Sequence, residues 1–582
     1  MSATRQPHMG VRTLVLGIDI GTTFSGISYS ILEPGQVPII KSITRFPGQQ
    51  EVGGDSKIPT AIYYDKAGII RAEGASTALP TSVEQAGEEE WQYARWFKLH
   101  LRPPNTEGPE IPPLPHRMSV ISVFSDFLRY LFDCAKTFIE ETHPGGAALW
   151  RSMEDSRSIE LVITHPNGWE GKQQNQLRDA AVVAGLSLIT SDDAGHGRLR
   201  FVTEGEASLH FCIENGLMTE AIARGRGVVI VDAGGGTVDV STYRLNRSLN
   251  ESGKYEEIAP PQCLFQGSVF VTQRAYQWIE AHLAGSKFTE DVGNIAENFD
   301  TTGKLSFQGD EETVSVKFGR PGDNDPRLNI RSGMLKIPGA QVRAFFEPSI
   351  SAIVAAVRDQ CVSAHPIPVA SVFLVGGFAA NNWLFAQLQS RLEFLGVELA
   401  RPDTHVNKAV ADGAVSFCID HHVSARVARF TYGVVCSQPY NPANFEHAAR
   451  ASKRYKGVTG LWMVPGAFDT LLKKGVQVHE TTEFRSGYYR RDKDPGNLRR
   501  IEVEVLNYRG QAGDPRWVDA EQENYQIVCR VEADTRRLVK RRSDYYELQF
   551  DVVLSFGLTE LKAQVAWKEQ GVEKRGAAQI VY

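Results

Sequence analysis

Residues Val229 to Leu245 read V-I-V-D-A-G-G-G-T-V-D-V-S-T-Y-R-L. The stretch begins as an unbroken apolar run, the mark of a strand covered on both faces. It breaks at Asp232 into three glycines and a threonine, then resumes as Val238, Val240 and Thr242 with polar residues between. The pattern predicts strand, tight turn, strand. Consecutive glycines let a turn aim several backbone N–H groups one way, and such a nest holds phosphate oxygens without a lysine. Asp232 and Asp239 at its ends offer carboxylates to a hydrated Mg²⁺, a hard ion that prefers oxygen and keeps most of its water.

A glycine turn by itself also fits a plain hairpin. A second copy changes the reading. Leu14 to Ile31, L-V-L-G-I-D-I-G-T-T-F-S-G-I-S-Y-S-I, has the same order: apolar strand, Asp19, a Gly21-Thr22-Thr23 turn, alternating strand. Asp19 and Asp232 stand 232 − 19 = 213 positions apart. That spacing suits duplicated domains, since solenoid repeats are far shorter. Two such hairpins facing each other would grip a polyphosphate from both sides, with one metal between the aspartates.

The bulk composition is compatible with this. The 582 residues hold several domains on the usual length prior, and 42% hydrophobic with 23% charged residues describes an ordinary globular chain. A net charge of −6 implies no general attraction to nucleic acid or membrane. The seven cysteines are scattered singly with no C-x-x-C, which argues against a zinc ribbon and a disulfide framework. No apolar leader opens the chain and no run approaches the ~18 residues of a membrane span. The expected location is cytoplasmic, with the nucleus also open.

In chain order, residues 1–11 are expected to be disordered. After the first hairpin, Ile58 to Tyr64 is a short strand, and Glu88 to Leu101, carrying Lys98, is helix-compatible. Pro103 to His116 holds six prolines and reads as a loop. Val120 to Thr142 has apolar residues at helical spacing. Further strands are expected at Ile159 to His165, Leu199 to Thr203 and Val369 to Val375, with helices at 174–185, 206–215, 270–282, 342–364, 383–395 and 409–420. Alternation of this kind implies α/β sheets covered on both faces. Beyond about residue 422 helical signals almost vanish and short strands take over, so 421–582 reads as a separate β-rich domain. Its basic clusters, Arg490-Arg491 and Arg536-Arg537 with Lys540-Arg541-Arg542, have acids beside them and read as a solvated face.

Five motifs in order now carry a resemblance: I-D-I-G-T-T-F-S (18–25), V-I-T-H-P (162–166), T-E-G-E-A-S (203–208), V-D-A-G-G-G-T-V-D-V-S (231–241), and L-V-G-G-F (374–378) ahead of A-V-A-D-G-A-V (409–415). Together they resemble the actin-like ATPase superfamily, and within it the 70-kDa heat-shock protein family. The resemblance covers residues 12–420. It implies two lobes, 12–205 and 206–420, each on a mixed five-stranded sheet, with ATP or ADP and Mg²⁺ in the cleft between them. It also implies that the last helix, 409–420, returns to or borders the first lobe. By position, Gly21, Thr22 and Thr23 resemble the first phosphate turn and Gly234, Gly235, Gly236 and Thr237 the second, with Gly267 close behind. Asp19 and Asp232 resemble the water-mediated magnesium partners. Glu204 and Asp239 stand where the family orients the attacking water, and phosphoryl transfer is mainly positioning and charge neutralisation. Lys98 resembles the lysine that reaches the transferred phosphate; a snorkelling helix lysine is the other reading.

The adenosine end departs from the family. Gly376-Gly377 is kept, but Phe378 and Ala380 stand where the family has Ser and Arg. Lys304 resembles the adenosine-side lysine, while the acid three residues before it is Thr301. Phe378 either stacks on the base or fills core. The chain also lacks the acidic-aliphatic linker and helical lid of the main chaperone members, having Ser424 to Arg429 and a β-rich region instead. It resembles the family's divergent branch. Three functions stay open: a slow ATPase acting as a chaperone-like switch, with client or regulatory proteins meeting 421–582; a sugar-type small-molecule kinase; and a module that holds ATP without cleaving it.

Overall fold

Both quoted stretches form antiparallel hairpins, and each hairpin sits at the same place in its own sheet. The computed structural model describes residues 5–49, 56–102, 111–169, 171–185, 197–247, 253–402, 408–557, 560–577 and 579–580. They fall into two compact units, one running to Trp169 and from Gln176 to Val423, the other comprising Glu170–Asn175 and Ser424–Tyr582.

In the first unit the strands are β1 (Thr13–Ile20), β2 (Phe24–Leu32), β3 (Lys41–Ser42) and β4 (Lys57–Pro59). They are followed by β5 (Ala61–Tyr64), β6 (Ile70–Glu73), β7 (Gln92–Arg95), β8 (Ile159–His165) and β9 (Leu199–Thr203). One sheet runs β3-β2-β1-β8-β9, with β4 also on β2. β1 is antiparallel to β2 and parallel to β8, which is parallel to β9.

The second lobe contributes β10 (Gly227–Ala233), β11 (Val238–Asn246) and β12 (Lys254–Leu264). A small sheet of β13 (Thr313–Lys317), β14 (Ile330–Arg331) and β15 (Met334–Pro338) follows, then β16 (Val369–Val375) and β17 (Glu398–Ala400). Its main sheet runs β17-β16-β10-β11-β12 with the same senses: hairpin antiparallel, flanking strands parallel. Five strands of each sheet thus match in order and sense, which is the duplicated mixed sheet of a two-lobed actin-like fold.

Helices α1 (Val120–Thr142), α2 (Glu204–Glu214), α3 (Ser268–Leu283), α4 (Gly339–Ser363) and α5 (Ala409–Asp420) cover these sheets. α1 starts where the Ser119 side chain accepts from Ser122 N–H, and it buries Phe124, Phe127, Leu128 and Leu131 at helical spacing. Helix α5 lies against the first sheet and α2. A methyl group on Gly17 would sit 2.6 Å from Ala411 O, and one on Gly413 would run into Ala207 O. Small residues at these points let the helix and the sheet approach closely.

Two expectations are corrected. The segment 88–101 is not one helix: β7 pairs with β5, and a single 3₁₀ turn, Phe97–Leu101, follows Trp96, whose φ of +54° breaks any helix. Cross-strand stacking of Tyr63 on Tyr93, with centroids 4.5 Å apart, favours the strand. Residues 5–11 carry no helix or strand but are held: Arg5 pairs at 3.0 Å with both Glu214 and Asp420, and His8 N–H reaches Gln36 O at 2.8 Å. Residues 1–4 lie outside the described residues, as do residues 103–110 of the proline-rich stretch. The segment between α3 and α4 holds the small β13-β15-β14 sheet.

The second unit is β-rich. One sheet has the order Tyr455–Lys456, Trp462–Leu472, Thr431–Pro439, Arg500–Tyr508, Tyr525–Asp534; another joins Glu483–Asp492, Tyr546–Gly557, Glu560–Glu569 and Val572–Arg575. Val434, Ile501, Val505, Val531, Val552 and Val565 fill its core. The basic clusters are offset by acids, with Arg491 and Arg542 both on Glu547 and Arg536 on Asp534.

Candidate functional site

The two glycine turns meet. A methyl group on Gly235 would lie 2.3 Å from Thr23 Oγ1, and one on Gly236 would lie 2.3 Å from Thr22 Oγ1. Only bare backbone fits there, so the hairpins face each other turn to turn. The second turn closes with Gly234 N–H on Thr237 O at 2.9 Å. Its carbonyls accept from the start of α3, Gly267 N–H reaching Gly236 O at 3.2 Å and Val269 N–H reaching Gly235 O at 2.9 Å. These bonds tie the carbonyl side of the turn to the start of α3. Gly376, at φ +92°, passes so close to Asp232 Oδ1 that a side chain would meet it at 2.4 Å.

Around this junction lie four buried carboxylates and two buried or nearly buried lysines. Asp19 ends β1, accepts from Thr164 Oγ1 at 3.1 Å, and is ion-paired to Lys57 of β4. Lys98, 4% exposed, donates to Glu204 Oε1 at 2.6 Å, with its ammonium 5.6 Å from the Trp169 ring centre. It does not snorkel. Glu204 opens α2, where Thr203 Oγ1 caps Glu206 N–H, and it is buried rather than an exposed helix-end acid. Asp232 accepts from Ser208 Oγ at 2.9 Å. Asp239, its cross-strand neighbour, is fully buried; Oδ1 accepts from Asn167 N–H at 2.6 Å, while Oδ2 has no hydrogen-bond partner among the described residues. The Thr237 hydroxyl and Cys263 thiol lie near enough to act on that carboxylate without satisfying Oδ2 in good geometry.

The electrostatics divide the four acids. Burial pushes the Asp19 carboxyl up, but Lys57 and then Lys98 outweigh it and hold Asp19 below the usual carboxylate value. Asp232 has no lysine on it. Burial, then Glu204, push it up to about 7, and Asp19 adds to the rise. Asp239 is raised well above its usual value by burial, Glu204 and Asp232. Burial also leaves Glu204 raised despite Lys98, while Lys98 is held charged beyond its ordinary range by Glu204 and Asp19 against burial. Asp19 thus acts electrostatically on Asp232 from the other lobe, which places both at one junction.

This donor set fits a magnesium polyphosphate. Uncompensated carboxylates, an orphaned buried Oδ2 and bare-backbone turns are what a divalent cation with bound phosphates would complete. Asp19 and Asp232 would hold the ion through its water, and the turns at 21–23 and 234–237 would hold phosphates.

Lys304, read in the sequence as the adenosine-side lysine, is buried, and its ammonium meets Asp300 and, at 3.2 Å, Thr272 Oγ1. The acid that pairs with Lys304 is Asp300, four residues before it, in the π turn Phe299–Gly303. Gly377 begins the 3₁₀ turn that carries Phe378 into the lobe core, where its ring stacks on Phe346 at 6.1 Å. Of the two roles read for Phe378, the packing observed is the core one. Lys57, Asn167, Ser208, Thr272 and Asp300 went unread in the sequence. Two carried a local signal: Ser208 closes T-E-G-E-A-S and Asn167 directly follows V-I-T-H-P; the Asn167 side chain ties Ser241 Oγ at 2.9 Å, Gln262 O at 3.2 Å and Gly205 N–H at 3.4 Å.

Comparison with known proteins finds relatives of one kind. The chain is 23% identical over 509 residues to human heat shock 70 kDa protein 12B, covering 74% of this chain and 72% of that protein. It is 24% identical over 498 residues to the mouse heat shock 70 kDa protein 12A, covering 72% of each. A chaperone protein HscA homolog from Pseudomonas aeruginosa is 28% identical over 255 residues, 42% of this chain and 34% of that protein. No protein-family model matches the chain.

Proposed function

We propose that this chain, a divergent heat-shock-70-like protein, binds ATP with Mg²⁺ between its two glycine turns and hydrolyses it slowly, its nucleotide state serving as a chaperone-like switch. The observation that carries the reading is the apposition of Gly235 and Gly236 with Thr23 and Thr22 beside four buried carboxylates. Bound Mg²⁺ supplies charge neutralisation at the phosphate oxygens. Within the chain, Lys98 neutralises charge on the transferred phosphoryl group. Glu204 and Asp239 orient the attacking water, and Asp239 Oδ2, with no partner of its own, is a free acceptor for it. Ser208 and Asn167 fix the carboxylates they donate to. Lys304, with Asp300 and Thr272, stands at the nucleoside end. No helix among the described residues is long and apolar enough to cross a membrane. The 424–582 unit, which exposes Phe445, Leu461 and Trp462, is the proposed contact for client or regulatory proteins.

The test is phosphate release from ATP by the purified chain with no added acceptor. The reading expects release that Glu204→Gln lowers by roughly 10² to 10³-fold while ADP affinity stays within a few fold. Release only when a sugar or other hydroxyl acceptor is present would favour a kinase. Tight ATP binding with no release in a single turnover would leave a binding module.

A further inference from the structure

A row of three residues crosses the first sheet beside the phosphate turn. Asp19 on β1 is paired in register with Gly26 on β2, and Gly26 with Lys57 on β4. Cross-strand neighbours in register share a face of the sheet. The middle position is bare: a methyl group on Gly26 would stand 3.1 Å from Lys57 Cδ and 3.3 Å from Cε. The lysine stem therefore lies over the glycine, and its ammonium ends on Asp19 Oδ2. Both side chains are largely out of water, at 11% and 7% exposure. A surface lysine would not be held this way; the sheet is built to deliver one charge to one carboxylate.

We propose that Lys57 is a tethered cation that takes over part of the metal's role at Asp19, making nucleotide binding by this chain weakly dependent on divalent metal. The inference rests on the nucleotide-binding reading above. Lys98 pairs with Glu204 and Lys57 with Asp19, so two of the four acids have an ion-paired lysine, while Asp232 and Asp239 accept from neutral donors, the Ser208 hydroxyl and the Asn167 N–H. A fixed positive charge at Asp19 repels a divalent ion at the same spot. It also attracts a polyphosphate that arrives without one. Both effects follow from the same Coulomb term, and by linkage they appear together as a reduced coupling between metal and nucleotide.

Two measurements on the full chain test this. The first is Mn²⁺ affinity of nucleotide-free protein by electron paramagnetic resonance, for wild type, Lys57→Met and Lys57→Arg. Lys57→Met is expected to bind Mn²⁺ at least tenfold more tightly than wild type, and Lys57→Arg to behave as wild type. The second is ADP affinity in EDTA and in Mg²⁺. Wild type is expected to lose less than about tenfold on metal removal, while Lys57→Met loses a further tenfold or more in EDTA alone. Unchanged Mn²⁺ affinity in Lys57→Met overturns the proposal, as does an equal loss of ADP affinity with and without metal. If ADP binds none of the proteins, the nucleotide reading fails, and the Mn²⁺ series still decides the role of Lys57. Lys57→Arg, which keeps the charge and the pair, separates this effect from a general loss of folding.

Discussion

The two hairpins share a backbone and differ in charge. Each ends an apolar strand on an aspartate, turns through glycine, and returns antiparallel beside a parallel neighbour. Yet Asp19 is held below the usual carboxylate range while Asp232 is pushed up to about 7. The cause is what the next strand brings. On the first lobe β4 carries Lys57 across Gly26 to Asp19. On the second, the neighbour across the hairpin is another acid, Asp239, and the partner of Asp232 is the neutral Ser208 hydroxyl. The two lobes share the hairpin and its place in the sheet. Each lobe settles its carboxylate separately, one with a built-in cation and one with a vacancy in the charge balance suited to a metal.

That contrast makes opposite predictions for matching substitutions. Asp19→Asn leaves the Lys57 ammonium without its carboxylate, and removing one member of a buried pair costs about 3 kcal/mol or more. Urea unfolding of nucleotide-free protein should show that loss; an unchanged midpoint would mean the pair carries no weight. Asp232→Asn removes a group that is costly to ionise in the folded state, so the same experiment at pH 8 should show a gain of roughly 2 kcal/mol.

The pH dependence follows with its sign. Asp232 has a folded value near 7 against 3.8 in the unfolded chain. Between those values the folded form binds more protons, so stability of the nucleotide-free protein falls as pH rises from about 4 to 7 and levels off above. Asp19 acts in the other direction, contributing stability above 3.8 that is lost at lower pH. A urea midpoint in Asp232→Asn that declines over pH 5 to 8 as steeply as in wild type would break the contrast. Smaller still, Gly236→Ala should weaken ADP about tenfold, or about 1.4 kcal/mol, by pressing on Thr22 Oγ1. Gly87→Ala, in an exposed helix with nothing within 4 Å, should instead stabilise by no more than about 1 kcal/mol and leave ADP affinity alone.

The hairpins were legible because their signals are local: alternation, an aspartate and consecutive glycines fall within one window. Duplicated domains followed from reading that window twice, the paired mixed sheets from the family resemblance of five ordered motifs, and the β-rich C-terminal region from the loss of helical periodicity. What was missed is non-local or depends on spacing. Lys57 reaches Asp19 through sheet pairing over a distance no window spans. Asp300 lies four residues before Lys304, an ordinary helical spacing, but the reading looked only three residues back, at Thr301. The 88–101 segment was read as helix because the Tyr93 contact that makes it a strand belongs to another element. Phe378 could have met a base or the core, and only the packed Phe346 ring decides it.

The most direct test is a crystal structure of the full chain with Mg²⁺ and ADP, refined without restraint to any related protein. The account predicts the diphosphate between residues 21–23 and 234–237, touched by backbone N–H groups of both turns, with the ion reaching Asp232 through water. A nucleotide held by one turn alone, or bound away from both, would contradict it.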